Sequence, residues 1–226
     1  MSELFTYRSI ADFLFGFGAL FAIINPYGLA FVFLDRTMGL SERDRARIAL
    51  RVAIYAFFVL LVSLFAGSEI LRFFGISLPA LRIAGGLVVA ATGWSMLHAT
   101  PTAPDDHASS SANYQAVRGM TFYPLTIPLT AGPGTIATAI AIGTNRPDDL
   151  DAVFSLSIVR LVIALAVAAT IYHAYRKSSA MARLFGEEGT SVVTRLSAFL
   201  LLCIGVQIMI NGVVEVARTV HDGISR

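Results

Sequence analysis

The chain has 226 residues, 56% of them hydrophobic and only 14% charged, with a mean hydropathy of +0.71. Soluble globular chains carry about 25% charged residues, so this composition excludes an ordinary soluble domain and predicts an integral membrane protein. Seventeen basic residues against fifteen acidic ones leave a formal charge of +2, too balanced for a nucleic-acid partner.

Six apolar segments follow in chain order, at 13–34, 48–71, 78–98, 121–143, 152–174 and 192–214. As helices they would measure about 31–36 Å, enough for a hydrocarbon core of about 30 Å. Lipid offers no partners to backbone groups, so helices are the expected spanning form, and the alternation of a barrel strand is absent. The first segment is too long for a signal-peptide core and no small-residue cleavage site follows it, so it is expected to remain as the first span.

That first span carries "FAIINPYGLAF" at 21–31, with Asn, Pro and Gly at its centre. Proline removes a backbone donor and clashes with the carbonyl four residues back, which predicts an interrupted helix. Asn25 suits an N-cap and Pro26 the first position of a new helix. Spans two and three follow, the third with Gly85-Gly86, which together with Gly16 and Gly18 suit close helix approach. The stretch 99–120, rich in Pro, Ser, Ala and Asp, reads as a flexible cytoplasmic linker between a first three-helix repeat (1–98) and a second (121–226). Span four contains "AGPGT" at 131–135, where Gly132-Pro133-Gly134 permits a second interruption, and Pro124 and Pro128 loosen it further. Thr126, Thr130, Thr135 and Thr138 crowd this span; threonine often bonds back to its own helix, so only Thr130 and Thr135, beside the break, stand out. Arg160 lies deep in span five and should face the bundle interior or mark a later start of the segment, with Arg51 a candidate repeat mate. Arg82 and Arg195 are shallow enough to snorkel, with a gating or partner role as the alternative. Gln207 and Asn211 in span six suit hydrogen bonds across helices.

The halves resemble each other. "INPYG" at 24–28 aligns with "AGPGT" at an offset of 107, and Arg82 aligns with Arg195 at an offset of 113. Three spans per half is an odd number, so the second copy must enter from the opposite face. The expected fold is therefore an all-α membrane protein with six transmembrane helices, arranged as two inverted three-helix repeats with spans 1 and 4 discontinuous, as in many secondary transporters. Eight Lys and Arg residues in loops one, three and five, against five on the other side, place both termini outside the cytoplasm.

The interrupted helices would expose N–H groups for a carboxylate and carbonyls for an ammonium group or small cation. No Asp or Glu lies in the middle of any span, which argues for a substrate of no net charge. Cys203 stands alone, the four histidines lack metal-ligand spacing, and no nucleophile has an adjacent base. Neither an enzyme nor a bound metal is expected.

"NPYGLAFVFLD", "FFGISLPALRIAGGL" and "YPLTIPLTAGPGTIATAI" resemble the MarC family, also described as a neutral amino-acid transporter family, over residues 13 to 214. The resemblance implies a six-span bacterial inner-membrane protein that carries glycine, alanine or similar small neutral amino acids, coupled to a sodium or proton gradient and using no other cofactor. By motif it carries over Asn25, Pro26, Gly28, Gly132, Pro133 and Gly134; Tyr27 departs from the small aliphatic residue expected there. With the residues beside the breaks, the expected substrate site is Asn25, Pro26, Tyr27, Gly28, Thr130, Gly132, Pro133, Gly134 and Thr135. The expected partners are that amino acid and the lipid bilayer, with no oligomeric state assigned. A channel-like pore for small neutral solutes is the alternative, since paired Asn-Pro-type motifs also suit a channel.

Overall fold

The computed structural model describes residues 2–98, 110–144 and 150–224. All regular elements among them are helical: α1 (Ser2–Ile24), α2 (Pro26–Arg36), α3 (Glu42–Phe73), α4 (Leu78–Leu97), α5 (Ser110–Gly119), an irregular segment Thr121–Thr130, α6 (Pro133–Gly143), α7 (Leu150–Arg176) and α8 (Ser178–Ile224). Five helical stretches are long and apolar enough to cross a membrane: Ser9–Arg36, Glu42–Phe73, Leu78–Leu97, Val153–Arg176 and Glu188–His221. A sixth results if Thr121–Thr130 and Pro133–Gly143, bent by 65° across their junction, count as one span.

Local chemistry sets the boundaries. Ser41 caps α3 by accepting from Asp44 N, and Ser77 caps α4 by accepting from Ala80 N, each meeting one of the N–H groups a helix start leaves open. Between α3 and α4 the chain reverses at Gly75, whose φ of +65° is a left-handed position that glycine takes without penalty. α8 begins far upstream of the predicted 192–214 because residues 178–185 are also helical; Gly186, at φ 69° and ψ −179°, turns this first stretch away from the rest.

The helices pack as one bundle. α4 lies along α8 over the longest contact in the molecule, α3 packs on α6 and α7, and α2 inserts between α7 and α8. α1 packs on α6 and α7, while Thr121–Thr130 lies against α3 and touches α2 and α4. On the α4–α8 seam a Cβ on Gly86 would fall 2.6 Å from the Gly205 carbonyl oxygen, so the two backbones touch with no side chain between them. The buried core gathers Leu20, Ile24, Phe33, Ile48, Leu60, Ile163 and Tyr175 from α1, α2, α3 and α7.

Three expectations need amending. The stretch 99–120 is not flexible throughout: residues 110–119 are helical, and Val117 and Tyr114 pack against the core, while 99–109 lie outside the described residues. Gln207 and Asn211 do not bond across helices; Gln207 Nε2 donates to Asn211 Oδ1 at 2.9 Å along α8 itself, both being exposed and one turn apart. Gly18 has no neighbour close enough to explain it by helix approach, whereas Gly16 meets Ile163 of α7. Arg160 is buried, as its depth in span five requires.

Candidate functional site: two interrupted helices and the cavity beside them

At the first interruption Asn25 adopts the left-handed conformation, φ 45° and ψ 59°. A residue before proline is pushed out of the right-handed helical region, and Asn tolerates the left-handed one through its short polar side chain. Its N–H still donates to Phe21 O and its carbonyl accepts from Leu29 N, both at 2.9 Å, so the chain passes through without a large bend. Pro26, buried, begins α2 and has no N–H to give to Ala22 O. Asn25 Oδ1 accepts from Gly28 N at 3.3 Å. A Cβ on Gly28 would collide with that same Asn25 side chain, so the spacing Asn-Pro-x-Gly is one unit: turn, start and room for the cap. Tyr27 is 41% exposed, with its ring tilted 6.3 Å from that of Phe21.

The second interruption is built differently. Tyr123 and Ile127 are extended, each followed by a cis proline, Pro124 and Pro128. The remaining backbone bonds close over five residues, Leu125 N to Met120 O at 3.2 Å and Ala131 N to Thr126 O at 2.8 Å. Such wide turns leave carbonyls without the usual donor, and the threonines fill them. Thr126 Oγ1 donates to Thr121 O at 2.8 Å and Thr130 Oγ1 to Leu125 O at 2.6 Å. Thr130 also shares a hydrogen bond of 2.8 Å with Tyr175 OH, and the Tyr175 ring stacks on Phe33 of α2 with centroids 4.5 Å apart. Gly132 is extended at the N-cap of α6, where any Cβ would collide with Pro128 O. Pro133 starts α6 and lies against Gly85 of α4, Gly134 sits beside Ile208 of α8, and Thr135 is buried.

A cavity of about 710 Å³ lies beside these breaks. Phe15, Ala19 and Ile23 line it from α1, and Ile142, Ala141 and Thr138 from α6. Along α1 this wall runs toward Asn25, and along α6 it runs toward Pro133, so its inner end points at both breaks. α8 contributes Ile208 and Asn211, and near the helix ends stand Arg82, Glu215 and Arg218. Arg82 Nη1 donates to Glu215 Oε2, tying α4 to α8. None of the nine sequence-predicted residues lines the cavity; Gly134 comes nearest, since a Cβ there would fall 2.6 Å from Ile208 Cδ1. Tyr175 was missed because a tyrosine at the end of an apolar run reads as an interfacial anchor, and its pairing with Thr130 spans 45 positions.

The sequence profile described as MarC family integral membrane protein matches residues 10–217. The chain belongs to the MarC family. It is 36% identical over 211 residues to the UPF0056 inner membrane protein MarC of Escherichia coli strain K12, covering 91% of this chain and 96% of that one. The proteins of the same name from Shigella flexneri and from Escherichia coli O6:H1 strain CFT073 match with the same identity and coverage. No solved structure matches. Membership and the apolar helices together make this an inner-membrane, multi-pass protein.

Proposed function

We propose that this MarC-family protein is a secondary transporter of small neutral amino acids of the glycine and alanine kind, bound where spans one and four are interrupted. The single observation that carries the reading is that α1 and α6, which wall one cavity, each end at a helix break, with Ile23 of the lining two residues from Asn25. A break supplies N–H groups with a positive dipole end on one side and carbonyls on the other, the pair of partners a zwitterion needs. In this reading the carboxylate is held at the first turns of α2 or α6, near residues 26–28 and 133–135, and the ammonium group by carbonyls that precede the breaks. Thr130 acts at one remove, holding the 121–130 segment to Tyr175.

The inverted repeat belongs to the same proposal, and the packing supports it. A two-fold axis in the membrane plane would exchange α1 with 121–130, α2 with α6, α3 with α7 and α4 with α8. The contact of α1 with α6 then has its mate in that of α2 with 121–130, and α4 with α6 in α8 with α2. The pairs α3–α7 and α4–α8 map onto themselves, as helices beside the axis would. A sodium or proton gradient is the proposed driving force, with the basic loops in the cytoplasm and both termini outside.

The test is reconstitution into liposomes with labelled glycine and alanine under imposed sodium or proton gradients. Saturable, gradient-dependent uptake that disappears in Gly134→Leu, with membrane insertion unchanged, is the expected result. Flux that neither saturates nor follows a gradient would replace the transporter with a pore.

A further inference from the structure

At the membrane face opposite the Arg82–Glu215 pair, a second cavity of about 570 Å³ opens where the start of α3 meets the junction of α7 and α8. Arg43, Arg45 and Arg47 come from the first turns of α3, Arg176 from the end of α7, Lys177 from the turn after it, and Arg183 from the start of α8. One acid, Glu42, shares the lining.

These cations divide into two groups. Arg45 is buried and spends its donors on protein: Nε on Thr37 Oγ1 at 3.1 Å, Nη2 on Thr37 O and Leu40 O, each at 3.2 Å, and Nη1 on Ser179 Oγ. It forms a fixed back wall joining α3 to α8. Arg47 is paired with Asp44 and Arg183 with Glu42, each at 2.9 Å. Arg43, Arg176 and Lys177 have no carboxylate partner among the described residues; Arg176 Nη1 donates only to Tyr172 OH, at 3.1 Å. All three are exposed. The N-termini of α3 and α8 open beside the cavity and the C-terminus of α7 ends there, so the helix dipoles leave one net positive end. A cluster left with this much uncompensated charge suits an anion that brings several acceptor oxygens.

The surroundings say where that anion comes from. Residues 43, 47, 50, 54 and 58 follow one face of α3, and beyond the two arginines the face is apolar and uncovered: Leu50 is 47% exposed, Ile54 43% and Phe58 56%. Leu50 itself lines the basic cavity. Phe58 lines an apolar groove of about 420 Å³ that continues along α3 past Val62 to Ile70, with Ile136 and Ile140 of α6 on its other side. From Arg43 to Phe58 the helix rises about 22 Å, the reach of one acyl chain. A phosphate at the cations with hydrocarbon running down this face has the shape of a phospholipid.

We propose that the cavity between α3, α7 and α8 is a binding site for the phosphate of an anionic phospholipid, with its acyl chain along Leu50, Ile54 and Phe58. Arg43 and Lys177 hold the phosphate oxygens, Arg176 joins them from its seat against Tyr172, and Arg45 fixes the wall. A zwitterionic lipid brings the same phosphate with a positive group attached, so it binds more weakly. The site is independent of the transport reading, since it shares no residue with the cavity at the helix breaks.

The experiment measures thermal unfolding of the full-length protein in detergent during titration with phosphatidylglycerol, phosphatidylcholine, glycerol 3-phosphate or inorganic phosphate. Phosphatidylglycerol should stabilise saturably, and the other three should not do so at matched concentration. In Arg43→Gln/Lys177→Gln the half-saturating phosphatidylglycerol concentration should rise about thirtyfold, from the contribution of two surface cations. Arg72→Gln, which removes a cation at the opposite face, should leave it unchanged. Equal stabilisation by inorganic phosphate or glycerol 3-phosphate would overturn the lipid in favour of a soluble phosphate compound. Equal stabilisation by phosphatidylcholine, or an unchanged titration in the double variant, would overturn the site. Should the double variant not fold, a photoactivatable phosphatidylglycerol on the unaltered protein decides: crosslinks within 43–58 and 172–183 are required, and labelling elsewhere alone refutes the proposal.

Discussion

The two interruptions, at Asn25 and at 121–132, are built by opposite means. At Asn25 a single residue leaves the helical region, its side chain caps the next helix, and Ser9–Arg36 continues as one candidate span. At 121–132 two extended residues, two prolines and a run of threonine hydroxyls do the work, and the path turns by 65°. What the contrast teaches is that a membrane helix can be opened by a cap borrowed from one side chain or by a segment that supplies its own donors. The first exposes little and depends on Asn25 and Gly28 together; the second depends on Gly132 and on Thr130 with its distant partner.

Substitutions can break or sharpen this contrast. The largest effect is expected from Gly132→Ala, because the added methyl meets a backbone oxygen that cannot swing away. Overpacking of this kind costs about 3 kcal/mol at the upper end, read as a lowered unfolding midpoint in detergent. Next comes Thr130→Val, which removes the hydroxyl donor to Leu125 O and deprives the fully buried Tyr175 hydroxyl of its partner, at about 1–3 kcal/mol. Adding Tyr175→Phe should cost less than the two single losses summed, and strict additivity would show that the pair is not coupled. The smallest effects concern the first break. Asn25→Ala should cost about 1 kcal/mol through the lost cap and the left-handed backbone, while Asn25→Gly should cost only a few tenths. Gly28→Ala should be harmful with Asn25 present and nearly harmless in Asn25→Gly; equal cost in both backgrounds would mean the Asn25 side chain is not what Gly28 makes room for.

Much of the fold could be read from the chain because hydrophobic length and proline act locally. The span at 48–71 falls within α3 and that at 78–98 matches α4 and its C-cap His98, and Pro26 and Pro133 each open a helix, since a missing N–H has the same consequence wherever it lies. The left-handed turn at Asn25 was not legible, because an N-cap ordinarily sits in the extended region and only the coordinates show which option the bundle selects. The threonines were half legible: bonding back to their own segment was foreseen for Thr126, but Thr130 also reaches Tyr175, a contact no local pattern encodes. The helical 178–185 stretch escaped notice because its charged residues broke the apolar run that marked the span. The basic cavity was invisible for a related reason. Arg43 belongs to loop one and Lys177 and Arg183 to loop five, and only folding brings the two loops to one place.

The α4–α8 seam has a mechanical consequence. With Gly86 against the Gly205 backbone and Gly93 against that of Leu202, the two helices meet backbone to backbone at two levels, which resists separation and rolling more than a seam of long side chains would. The pair therefore behaves as a stiff keel, further pinned near one end by Arg82 and Glu215. A motion of α1, α2 or α6 relative to the rest of the bundle would take place about that keel.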